Sequence, residues 1–188
     1  MCDGCWSSIQ NTRSLDEHFG APHPVSWHTA VDAYDGRMKD IIHALKYDRR
    51  RSISPRLGAL MRGAGEAMLA DADCVVPVPL HPWREYRRGF NQAHELAIHL
   101  GPPVVPLLTR MRHTPSQIDL PREQRLANVK DAFTLSRGGG PSGPSIVVLV
   151  DDVSTTGATL DSCARVLKAA GIAEVRALTA ARVVNARH

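Results

Sequence analysis

Residues 146–160 read Ile-Val-Val-Leu-Val-Asp-Asp-Val-Ser-Thr-Thr-Gly-Ala-Thr-Leu, and this stretch limits the possible folds more than any other. Five apolar residues run without a break, which suits a strand buried on both faces of a parallel sheet. Two carboxylates, Asp151 and Asp152, end the run. A loop of hydroxyls with one glycine follows. Then Leu160, Cys163, Ala164 and Leu167 share one face of a helix that Gly171 ends. Strand, loop and helix in this order indicate an α/β protein, whose ligands sit beyond the C-terminal ends of the strands.

The loop has the chemistry of an anion site. Backbone N–H groups at a helix N-terminus point outward without intrahelical partners and bind phosphate. Ser154, Thr155, Thr156 and Thr159 add hydroxyl donors, Gly157 lets the backbone approach a ligand closely, and Ala158 opens the helix. The two acids would repel a phosphate, so they must face another part of the ligand. A ribose diol fits them, and the implied ligand is a sugar phosphate. There is no GxxxxGK[ST] and no GxGxxG after a strand, which argues against a P-loop NTPase and a dinucleotide fold.

The rest of the chain agrees with an α/β reading. Met38, Ile41, Ile42 and Leu45 mark one helix face, and Leu57, Leu60, Met61, Ala64 and Met68 mark a second after Ser54-Pro55. Short strands are expected at 74–78, 104–105, 132–135 and 175–184, and a helix at 91–100. Pro77 and Pro79 must stop the first of these strands. With 43% apolar and 22% charged residues, the chain has the mix of an ordinary folded domain. Its net charge of +4 permits anion binding without announcing nucleic acid. No apolar run is long enough to span a bilayer and no secretory leader is visible, so a cytoplasmic protein is expected. Residues 1–28 show no period and carry Pro22 and Pro24. They are expected to form a tail, with residues 29–188 as the folded domain. Cys2 and Cys5 make the one CxxC; a closed zinc site needs four ligands, so no zinc is expected.

The 146–160 segment resembles the motif of type I phosphoribosyltransferases that binds 5-phosphoribosyl-1-pyrophosphate (PRPP). The resemblance implies that fold, a mainly parallel central sheet flanked by helices. It also implies PRPP bound with Mg²⁺, Asp151 and Asp152 as the catalytic acids on the ribose, and residues 154–159 on the 5′-phosphate. The C1–diphosphate bond would break through an oxocarbenium-like state. A second loop, Pro77-Val78-Pro79-Leu80-His81-Pro82-Trp83-Arg84, leads into Arg87 and Arg88. A diphosphate leaving group needs such dense positive charge.

Residues 77–97 carry PVPLHxxRxxxRGFNQAxxLA, similar to the signature of the ComF/GntX family. Tyr34 to Tyr47 resembles its opening block. Arg110 to Gln117, then Arg125 to Asn128 with Ala132-Phe133, resembles its middle. This resemblance implies a diphosphate loop at Pro77 to Leu80 with Arg84 and Arg88 beside it. It implies Lys46, Arg110, Gln117 and Arg125 at the mouth of the site, and a loop at 109–128 that closes on substrate. Mg²⁺ would be held mainly through ligand oxygens and water. Many members begin with a four-cysteine zinc ribbon, of which only Cys2 and Cys5 remain here. Two functions follow. One is Mg²⁺-dependent phosphoribosyl transfer from PRPP, or binding of a ribose-5-phosphate-like ligand, with the acceptor unidentified. The other is a non-catalytic module that senses PRPP or nucleotides or binds single-stranded DNA. Such a module would use Arg49 to Arg51, Arg84, Arg87, Arg88, Arg110 and Arg112, and would act with a helicase-like partner in competence and DNA uptake. No membrane partner is expected.

Overall fold

The computed structural model describes Trp6, Ile9 and residues 14–47, 50–111, 132–136 and 144–184. In chain order the strands are β1 (Leu15–His18), β2 (Trp27–Ala33), β3 (Cys74–Pro77), β4 (Leu108–Arg110), β5 (Phe133–Leu135), β6 (Ile146–Ser154) and β7 (Glu174–Arg182). The helices are α1 (Gly36–Tyr47), α2 (Ser54–Ala64), α3 (Glu66–Leu69), α4 (Pro82–Arg88), α5 (Gln92–Ala97) and α6 (Ala158–Ala169). The apolar run of β6 lies inside a five-stranded sheet of order β1-β2-β7-β6-β3. Four of these strands are parallel, and β1 closes the edge antiparallel to β2. A separate antiparallel pair, β4–β5, packs against α6.

Alternation along β6 sends its side chains to opposite faces, as strand geometry requires. Val148 and Val150 join Leu178 of β7 against Ile41, Leu45, Leu57 and Leu96 from α1, α2 and α5. Val147 and Leu149 face Leu160, Cys163 and Leu167 of α6, with Phe133 from β5. Each such side chain, once fully buried, contributes roughly 1.5–3 kcal/mol. The sheet is therefore covered on both sides, and its C-terminal edge is where ligand chemistry can sit. Among the described residues no helix is long and apolar enough to cross a membrane.

Three expectations change. Residues 15–28 are woven into the main sheet, and the boundary expected after residue 28 falls inside β2. Their missing period has a cause: β1 is a four-residue edge strand with three exposed positions, too short and too polar to signal. Val104 makes only an isolated parallel bridge to Val75. Pro103 and Pro106 flank it and lack the N–H groups a longer ladder needs. The helical pattern over 57–68 is split at Gly65 into α2 and α3. A Cβ at Gly65 would lie 2.7 Å from Leu178 Cδ2, so glycine lets this turn pack directly on β7. Cys74 and Cys163 are buried free thiols, as expected.

Leu178 is fully buried and cannot easily yield. Gly65→Ala is therefore expected to destabilise the fold by about 1–3 kcal/mol. In urea titration this would appear as a lower midpoint at unchanged slope.

Candidate active site

The register of β3 on β6 builds the site. Pro77 lies opposite Val150, and the Val78 N–H donates to the Val150 carbonyl at 2.9 Å. The loops after the two strands therefore leave the sheet side by side. A cavity of about 170 Å³ lies over them. Val78, Pro79, Leu80, Arg84 and Arg88 line it from one loop, and Asp151, Asp152, Thr155 and Thr159 from the other. Lys46 and Arg110 close it from α1 and β4. Two stretches more than sixty residues apart in sequence thus meet, together with two of the residues expected at the mouth. Pro77 itself ends β3 and is buried.

The two acids are not equivalent. Asp152 is buried, and Lys46 Nζ lies 2.9 Å from its Oδ2. Burial opposes the ammonium charge, yet Asp152, with Asp151 beyond it, holds Lys46 above its ordinary value. Lys46 is thus a partner of the acids and not a residue of the rim. Asp151 accepts the Asp152 N–H at 2.8 Å. Burial and the neighbouring Asp152 charge push its carboxyl up to about 7, and Lys46 and Arg110 only partly offset this. One carboxylate is neutralised by a lysine, and the other titrates near neutrality.

In the loop after β6, Gly157 takes φ 76° and forms the N-cap of α6. The residue there must have a left-handed backbone, which glycine adopts without strain. The first N–H groups of a twelve-residue helix thus face the loop. Thr155 borders the cavity over the acids and also a larger one, about 410 Å³, on the other flank of the loop. Ser154, Thr156 and Gly157 border only that larger cavity, where Phe19, His23 and Arg182 also lie. Ser154 is buried and accepts the Val183 N–H at 2.9 Å through its carbonyl, so it anchors the loop. Ala158 is packed into the core beneath α6.

The arginines crowd the opposite wall. His81 caps α4 by accepting the Trp83 N–H at 3.2 Å, and Gly89 ends it with φ 82°. Arg88 sits 5.5 Å from the Tyr47 ring centre and donates to Gln92 Oε1 at 2.9 Å. Burial and then Arg88 hold the Arg84 guanidinium below its ordinary value. Burial and then Arg84 do the same to Arg110, whose guanidinium lies over Phe133 at 5.2 Å. Positive charge is thus concentrated on this wall, where Arg84 and Arg110 are both partly withdrawn from solvent and each lies near another arginine.

Sequence reasoning quoted Asn91 and Gln92 inside a motif without a role. In the structure Asn91 Nδ2 donates to the Val78 carbonyl at 3.0 Å, and its Oδ1 caps α5 at Ala93 at 2.9 Å. It straps the loop after β3 to α5. An Asn before a helical pattern is a capping signal that was available in the sequence. Gln117, Arg125, Arg112, Cys2 and Cys5 lie outside the described residues, as does most of the loop at 109–128.

The sequence matches the phosphoribosyl transferase domain family over residues 86–187. It is 32% identical over 201 residues to DNA utilization protein YhgH of Escherichia coli K12, covering 94% of this chain and 87% of that protein. It is 36% identical over 115 residues to Competence protein F of Haemophilus influenzae, covering 58% of this chain and 50% of the relative. The chain belongs to the ComF family of phosphoribosyltransferase-like proteins. Competence protein ComFC of Streptococcus pneumoniae is 27% identical to this ComF-family chain over 186 residues, covering 96% of it and 80% of the relative. A solved orotate phosphoribosyltransferase from Aeropyrum pernix aligns over 97% of the chain and 93% of its own at 17% identity and a TM-score of 0.41, too loose to bear on the site.

The raised Asp151 carboxyl has a consequence for stability. The folded ComF-family chain keeps that proton up to about 7, and an unfolded chain releases it near 3.8. Between those values the folded state binds more protons, so stability falls as pH rises. Asp151→Asn does not titrate and removes the fall. The variant is expected to be more stable than wild type at pH 8, with the difference closing below pH 4. Urea unfolding at the two pH values measures it.

Proposed function

We propose that this ComF-family protein binds PRPP with Mg²⁺ and transfers its phosphoribosyl group to a nucleophile, releasing diphosphate. The observation that carries the reading is the order of charge across one cavity. Asp151 and Asp152 lie near the end of β6, Thr155 and Thr159, which flank the N-terminus of α6, lie on one side, and Arg84, Arg88 and Arg110 lie on the other. A ribose bearing phosphate at one end and diphosphate at the other matches that order. Thr155, Thr159 and the first α6 N–H groups hold the 5′-phosphate, and the acids accept from the ribose hydroxyls.

The donor set suits Mg²⁺. Lys46 neutralises Asp152, which leaves Asp151 as the carboxylate available to a hydrated cation. Mg²⁺ commonly keeps several waters and uses phosphate oxygens for the rest. When bound, it would offset charge on the diphosphate. The arginine wall does the same from the protein side and holds the leaving group in place. In the transfer, the C1–O electron pair departs with the diphosphate. The acceptor's lone pair forms the new bond to C1, and its proton goes to solvent.

Calorimetric titration of PRPP with Mg²⁺ tests the reading. Wild type is expected to bind. Asp151→Asn/Asp152→Asn is expected to lose at least about tenfold in affinity, since two charge-assisted hydrogen bonds go with it. Wild-type affinity is expected to rise as pH passes through about 7, where Asp151 ionises. No binding by the wild type overturns the reading. Diphosphate release in the presence of candidate bases then tests transfer itself.

A second reading, a module that binds single-stranded DNA, has its own support. Helix α4 buries none of its seven residues. Trp83 is 50% and Tyr86 87% exposed, and the Arg87 guanidinium lies 4.8 Å from the Trp83 ring centre. Aromatic faces among arginines suit stacked bases and a phosphate backbone. The names of the relatives, competence and DNA utilization, point the same way. Trp83→Ala/Tyr86→Ala is expected to weaken oligonucleotide binding in a polarisation assay, and wild-type affinity to fall as salt rises. Affinity that ignores both changes counts against this reading.

A further inference from the structure

Gln92 is the first residue of α5 and is 2% exposed, yet it borders the cavity over the acids. Arg88 donates to its Oε1 at 2.9 Å. A guanidinium only donates, so this contact fixes which way the amide is turned. The oxygen faces Arg88, and the amino group is the atom left over. Nε2 is buried and has no hydrogen-bond partner among the described residues. A buried donor without an acceptor is costly, and natural proteins tolerate few of them. A neutral side chain of the same shape would avoid the cost. Retaining the amide makes sense where a ligand supplies the acceptor.

The position narrows that ligand. Gln92 follows Asn91, whose side chain holds the Val78 carbonyl at the base of the loop before α4. It touches Arg88, which lines the same wall as Arg84. It therefore stands with the groups that take the diphosphate and not with the phosphate loop of α6. Diphosphate oxygens are acceptors only, the complement of Nε2.

We propose that Gln92 Nε2 donates to an oxygen of the diphosphate, reached by a side-chain shift of Arg88 as the ligand enters, and that Gln92 makes the cavity prefer PRPP over ribose 5-phosphate. This rests on the PRPP reading above. Arg88 then sets the turn of the amide before the ligand enters and moves onto the diphosphate with it.

Calorimetry with PRPP and Mg²⁺, and separately with ribose 5-phosphate, on wild type, Gln92→Met and Gln92→Glu tests it. A hydrogen bond to a charged oxygen is lost in the Met variant, so PRPP affinity is expected to fall roughly tenfold or more. The Glu variant places a carboxylate against the diphosphate and is expected to fall further. Ribose 5-phosphate has no diphosphate, and its affinity is expected to be unchanged in both. Unchanged PRPP affinity in both variants overturns the inference and leaves the PRPP reading standing. Equal weakening of the two ligands also overturns it, because that is the mark of a structural role. Binding of neither ligand by wild type overturns the PRPP reading, and the inference falls with it. If Gln92→Met does not fold, Gln92→Glu keeps the shape and the Arg88 contact and carries the same comparison.

Discussion

The contact between Lys46 and Asp152 is the one on which the site depends. Two adjacent carboxylates near the C-terminal end of a buried strand repel each other and resist ionisation. Lys46, delivered from the last turn of α1, neutralises one of them at 2.9 Å. The other is left near its titration point. The pair also ties a helix from the first quarter of the chain to a strand from the last. Docking of α1 on the sheet and tuning of the acids are thus a single event. Loss of the lysine would leave an uncompensated charge in a buried place, which costs far more than an exposed ion pair is worth.

The sheet register supplies the second condition. With Pro77 opposite Val150, the loops after β3 and β6 emerge together. A shift of the pairing along β6 would carry the arginines away from the acids. Two things hold the arrangement: the alternation of β6 between two packed cores, and the Asn91 strap to Val78. A slip by one residue would exchange the faces of every side chain on the strand. The fold is thereby over-determined around the cavity over the acids.

Features that a stable fold would avoid gather in that region. Asp151 is kept from ionising, Arg84 and Arg110 are crowded by like charge, and Gln92 keeps a donor unmet among the described residues. Away from the cavity, Arg176 meets Asp71 and Glu174, Arg51 meets Glu95, and Arg182 meets Glu17. Local inconsistency of this kind is expected where binding, not packing, decides the residue.

Much of this was legible in the amino-acid order. The strand, acid pair and hydroxyl loop at 146–160 are contiguous, and local chemistry is enough to read a strand, a turn at Gly157 and a helix start. The arginine-rich loop at 77–88 was visible for the same reason. What tertiary structure decided are the relations between distant residues. It put the Lys46 ammonium on Asp152 instead of at a rim, set Arg110 of β4 against the same cavity, and gave Gln92 its orientation through Arg88. It also drew residues 15–28 into the sheet, where pairing with β2 orders a strand too short and exposed to announce itself. Periodicity records which face a residue buries. It carries no information on which strand edge or helix end will stand opposite, and that is settled only when the sheet register and both cores close together.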